Sequence, residues 1–154
     1  MSNGRALLAV ILGLVLNMLL GFASIALAWT IFGADGAFQG ETTVASSAWS
    51  AFGCGTGLVV GVIAGCATSV VARQAPRLPV FVLAGLLLVI GLGSAVLQLS
   101  AEPKPLPEGM SVGDLTFFEA GEVATSPAWY SFAAPSVVAL GVLIGGRVLC
   151  VRRR

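Results

Sequence analysis

Four stretches of this chain carry no charged residue: 6–34, 42–72, 78–101 and 123–146. The shortest run is 24 residues, between Arg77 and Glu102 and again between Glu122 and Arg147. A helix needs about 20 apolar residues to cross the hydrocarbon of a bilayer. Each window is long enough to do so. Charged residues make up only 10% of the 154 and apolar ones 57%, whereas a soluble domain is about a quarter charged. So little polar surface cannot coat an apolar core in water. The expectation is an all-α, polytopic membrane protein, a single transmembrane domain with four transmembrane helices in a bundle. They are placed at about 6–32, 48–71, 78–99 and 127–149, with outer loops 33–47 and 100–126 and an inner loop at 72–77.

The sign of the charges orients these spans. Arg5, Arg73, Arg77, Arg147, Arg152, Arg153 and Arg154 fall on one side of the four-span layout. Asp35, Glu41, Glu102, Glu108, Asp114, Glu119 and Glu122 fall on the other, with Lys104 the one cation among them. Cations near helix ends stay in the cytoplasm, so both termini are expected there. Trp29, Trp49, Trp129 and Tyr130 lie at the outer ends of the first, second and fourth spans, where amphipathic rings anchor at headgroup depth. The first span carries an Ala26-Leu27-Ala28 string of the kind a signal peptidase reads. Its apolar run from Ala6 through Phe32 is far longer than a signal-peptide core, so an uncleaved anchor is expected.

The second span holds the clearest repeat. Gly53, Gly57, Gly61 and Gly65 recur every fourth residue and Ser69 extends the series. Four residues turn a helix by 400°, so the series drifts slowly along one flank. A flank without side chains lets another backbone approach closely, which replaces the hydrophobic drive that lipid cannot supply. Gly141 and Gly145 form a shorter version in the fourth span. Such a flank either packs inside one chain or faces a second copy or a partner protein, and the sequence leaves both open. Gly13, Asn17 and Gly21 share the spacing in the first span. Asn17 is the strongest buried polar group of the spans, expected to hydrogen-bond to a neighbouring helix. Ser126-Pro127 reads as a cap followed by the first helical residue. Pro135, two turns further on, is expected to kink the helix. Pro76 and Pro79 bracket Arg77 and force a tight reversal.

The chemistry available is narrow. Histidine is absent, and no charged residue enters a span, which removes the usual support for proton relays and ion-coupled carriers. No nucleophile elbow, phosphate loop or zinc-protease motif occurs. No catalytic residue, cofactor or metal site is expected. The few cations, spent at the membrane surface, leave none for nucleic acid. Cys54 and Cys66 lie about 18 Å apart along one helix and cannot bridge, and Cys150 sits beside the terminal arginines. In the loop 100–126, Asp114, Glu119 and Glu122 match no calcium-loop spacing. Phe117 and Phe118 are expected to dip into the interface or pack on the helix ends as a lid.

The chain resembles a loosely defined set of uncharacterised bacterial four-span inner-membrane proteins. The matching residues are Gly61, Gly65, Ala72-Arg73, Pro76, Gly85-Leu86-Leu87-Leu88, Pro127-Ala128-Trp129, Gly141 and Gly145. The longer acidic loop 100–126 departs from that plan. The resemblance implies a bacterial inner membrane and no activity. The expectation is a non-enzymatic structural or accessory subunit in contact with lipid, packing through glycine faces with itself or a membrane partner. The alternative is a small permeation protein for an uncharged or lipophilic solute, with Asn17 and Pro135 near its path.

Overall fold

The computed structural model describes residues 3–72, 77–100, 106 and 110–151, with no side chains given for residues 3 and 149–151. The readings placed on Arg73, Pro76, Glu102, Lys104, Glu108, the Cys150 side chain and Arg152–Arg154 lie outside these. Five helices form within the described residues: α1 (Asn3–Ala37), α2 (Ser47–Ala72), α3 (Arg77–Ser100), α4 (Phe117–Val123) and α5 (Ala128–Val151). A single 3₁₀ turn at Val112–Asp114 precedes α4. Helices α1, α2, α3 and α5 are long and apolar enough to cross a membrane, which makes this a multi-pass membrane protein in contact with lipid.

The long helices meet in a definite order. The most extensive contact is α2 with α5, followed by α1 with α2 and α3 with α5. α1 touches α3 less extensively, and among the described residues α1 and α5 do not meet. The side chains are sorted by size. Leu97 and Val89 of α3 are 73% and 70% exposed, whereas Ala64 and Ala95 are 0% and 2% exposed. A protein folded in water buries its large apolar groups and exposes polar ones. Here many large groups face outward, and alanine, glycine, serine and threonine mediate much of the contact between helices, as packing in lipid favours. A cluster of Ala64, Val80, Leu83, Ala84, Ala139 and Val142 joins α2, α3 and α5 toward the arginine end.

The opposite, acidic end carries a small cap. The α1 helix breaks at Gly33, whose φ of 61° and ψ of −173° lie where a side chain would be strained. The chain beyond the break brings Ala37 and Phe38 into a cluster with Val112, Leu115, Ala120 and Val123. Ser46 fastens the start of α2 to this end. Its hydroxyl accepts from the Trp49 N–H at 3.1 Å and donates to the Gly36 carbonyl at 2.6 Å, so one side chain caps two helix termini.

The two loops then clasp each other. Val44 pairs in parallel with Thr125, through Ala45 N–H to the Thr125 carbonyl at 2.9 Å and Thr125 N–H to the Thr43 carbonyl at 2.8 Å. At α5 the Pro127 carbonyl accepts the first helical bonds, from Tyr130 and Ser131. Pro127 thus takes the cap position that the sequence suggested for Ser126, and the helix begins at Ala128. Proline carries this position easily because a cap residue needs only its carbonyl.

Candidate functional site

Two places gather the residues singled out by the sequence: the α2–α5 interface and the cap. On α2 the whole glycine flank meets α5. A methyl group at Gly53 would meet the Tyr130 ring, with Cζ 3.1 Å away, and one at Gly57 would lie 3.1 Å from Val138 Cγ2. One at Gly61 would collide with the Val138 carbonyl oxygen, and one at Gly65 with that of Val142. The fit is reciprocal. A methyl at Gly141 would lie 2.5 Å from the Leu58 carbonyl oxygen and one at Gly145 would strike that of Val62. Ser69 ends the series by donating to the Gly146 carbonyl at 3.3 Å. Here backbone meets backbone, and any Cβ at these four central glycines would part the two helices.

Pro135 lies on another face of α5. Its ring packs against Gly91 of α3, with Cγ 3.1 Å from where a Gly91 methyl would sit. α5 runs through Pro135 as one helix. The Oδ1 of Asn17 is buried and has no hydrogen-bond partner among the described residues. The Thr68 hydroxyl, facing Gly13 one turn from Asn17, already donates to the Ala64 carbonyl at 2.8 Å. Several hydroxyls in the spans are spent on their own helix in this way, including Ser24 on Leu20, Thr56 on Phe52 and Ser136 on Phe132, whereas the buried Ser50 and Ser131 hydroxyls have no partner among the described residues.

The aromatic residues converge at the cap. Trp29 stands edge-to-face with Trp49 at 6.3 Å between ring centroids, and Phe117 of α4 lies 5.9 Å from Trp29 and 6.0 Å from Phe22. Phe32 adds contacts to Trp49 and Phe52. Trp129 and Tyr130 pair with each other at 5.8 Å, with Trp129 directed outward. Between α1, α2 and α4, Phe22, Trp29, Trp49, Phe117 and Phe118 line a half-open apolar cavity of about 190 Å³. A second, shallower crevice of about 340 Å³ lies between α1 and α2, lined by residues including Leu20, Leu27, Gly55 and Val59.

The roof of the cavity is a helix that hydropathy alone does not reveal. Thr116 caps α4 by accepting from the Glu119 N–H at 3.4 Å, while the Glu119 carboxylate accepts from the Thr116 N–H at 2.9 Å and its hydroxyl at 2.6 Å. Asp114 does the same for the 3₁₀ turn, accepting from the Ser111 hydroxyl at 2.7 Å. These hydrogen bonds hold both carboxyls below the ordinary carboxylate range, the side-chain hydroxyl having the larger effect in each. Two of the acids considered as cation ligands are therefore engaged as capping groups. The Thr-x-x-Glu spacing of Thr116 and Glu119 was the available sequence signal.

The chain matches no family model, and no curated protein or solved structure matches it.

Proposed function

We propose that this protein is a non-enzymatic structural or accessory subunit of a bacterial inner membrane. In this reading its four spans form one bundle with both termini in the cytoplasm. The observation that carries the proposal is the closed α2–α5 interface. Gly61 and Gly65 interlock with Gly141 and Gly145, so that the backbones leave no aqueous path between those helices. The capping carboxylates of Asp114 and Glu119 and the hydroxyls of Ser24, Thr56 and Thr68, each engaged in local hydrogen bonds, support the same reading. The glycine faces act as an internal frame, and association with a second copy or a membrane partner uses the outward apolar flanks of α1 and α3.

Native mass spectrometry of the gently solubilised protein tests this. A discrete complex, with a second copy or a partner protein, is the expected result. A bare monomer that also passes solute in reconstituted vesicles would overturn it. The crevice between α1 and α2 favours the alternative, permeation of a lipophilic solute, with Asn17 one turn along α1 from its Leu20 wall. That alternative requires Asn17→Leu to change vesicle flux, and equal flux in both proteins would remove it.

A further inference from the structure

The cavity beneath α4 is half-open, and its mouth faces lipid. Met18, Phe22, Ile25 and Trp29 follow one another at helical spacing along one flank of α1. The first three are 64%, 59% and 50% exposed, and Phe22, Ile25 and Trp29 also line the cavity. The lipid-facing surface of α1 therefore runs without interruption into the space below α4. The inner wall is of another kind. Ala45 and Ala120 line the cavity too, but they are only 5% and 3% exposed. Lipid lying along the outside of the protein touches Phe22 and does not reach those two.

Shape and lining decide what enters. From Phe22 to Trp29 the lining climbs two turns of α1, about 10 Å, and it continues beyond the break at Gly33 to Ala37 and Phe38. A volume of about 190 Å³ drawn out over that length is a narrow slot lying along a spanning helix. An apolar cavity of about 150 Å³ holds a benzene ring, so the slot holds a short run of chain carbons in single file. Among the described residues no hydroxyl, amide or charged side chain lines it, and the indole N–H groups of Trp29 and Trp49 are the polar atoms of its lining side chains. The slot can select hydrocarbon, and it has nothing with which to read a charged head.

We infer that this slot holds one acyl chain of a phospholipid from the leaflet on the cap side. The bilayer presents such chains at the mouth in far greater number than any dissolved solute, and they run alongside the spanning helices as the slot does. The inference goes beyond the accessory role and rests only on contact with lipid.

A photoreactive lipid separates a chain inside the slot from lipid on the outside. The intact protein is reconstituted in phosphatidylcholine vesicles containing a phosphatidylcholine with a diazirine in one acyl chain. After irradiation the labelled residues are mapped by mass spectrometry. Label is expected on the inner wall, at Ala45, Trp49 or Ala120, as well as on Leu97 of α3, which is 73% exposed and marks the outer lipid. Gly121 offers a way to fill the slot, since it borders the cavity and a Cβ there would meet nothing within 4 Å. Gly121→Leu should abolish the inner-wall label and leave that on Leu97 unchanged. Where that variant loses thermal stability, Ile25→Trp narrows the mouth from a half-exposed position on α1 and should give the same loss. A phosphatidylglycerol with the same diazirine chain should label the inner wall equally. Label confined to outward residues would overturn the inference, as would inner-wall label that survives both substitutions or follows the head group. Inner-wall label that fades as the protein is crowded in the vesicle would place a second copy in the slot and overturn it too.

Discussion

At the scale of single residues, glycines that look alike in the sequence differ in what surrounds them. A methyl at Gly61 meets a backbone carbonyl, which cannot rotate away, whereas one at Gly57 meets a valine methyl that can. A methyl at Gly21 meets nothing within 4 Å. Gly61→Ala should therefore lower stability by about 1–3 kcal/mol, the usual cost of overpacking. Gly57→Ala should cost distinctly less, and Gly21→Ala should be neutral or better because alanine favours the helix. Thermal unfolding of the three variants in one detergent checks the order. Equal losses at Gly61 and Gly21 would show that α5 does not press on α2 there. Asn17 shows where sequence reading stops. Its polarity and mid-span place were legible, but whether it finds a partner depends on which hydroxyls across the interface are free, and Thr68 spends its own on Ala64.

At the scale of elements, the four long helices were legible because lipid demands long uncharged runs and charges end them. Their observed ends fall within a few residues of expectation, except that α1 runs five residues further, through its break at Gly33. α4 was not legible from hydropathy, since it has only seven residues and gains its apolar support from Phe22 and Trp29, nearly a hundred positions away. Its start is held by the Thr116–Glu119 box, so Thr116→Ala should weaken α4 by about 1 kcal/mol. The box also sets a pH response. A carboxyl held below its ordinary range stabilises the fold fully above that ordinary value and loses the contribution as pH falls through its lowered one. The roof should thus stay closed at neutral and mildly acidic pH and loosen only in stronger acid. In a Trp129→Phe protein the remaining tryptophans, Trp29 and Trp49, line the cavity, and their emission followed against pH reads this. Adding Glu119→Gln should flatten the part of the acid transition due to Glu119, and an unaltered transition would show that Glu119 does not couple α4 to pH.

At the scale of the whole molecule, every described acid lies at or near the cap and the described arginines lie at the other end. The bilayer can therefore accept the molecule in one sense far more readily than in the other. With the three native cysteines replaced by alanine, Thr42→Cys should react with an impermeant maleimide in intact cells, whereas a cysteine appended after Arg154 should not. Reversed labelling would invert the proposed orientation. The cap, unlike this polarity, left no periodic trace in the sequence, because Thr43 and Thr125 have no local reason to meet. Their clasp spans 82 positions, and this bears on the order of events during synthesis. The α1–α2 hairpin can enter the membrane well before the strand of chain at Thr125 exists. Until α5 arrives, the Gly61–Gly65 flank has only lipid against it and the first loop has nothing to hold. Closing so long a loop is entropically costly and slow. The α2–α5 contact closes a loop of nearly the same length, from Gly61 to Gly141, so the cap and the glycine interface are both late contacts that wait on the last third of the chain.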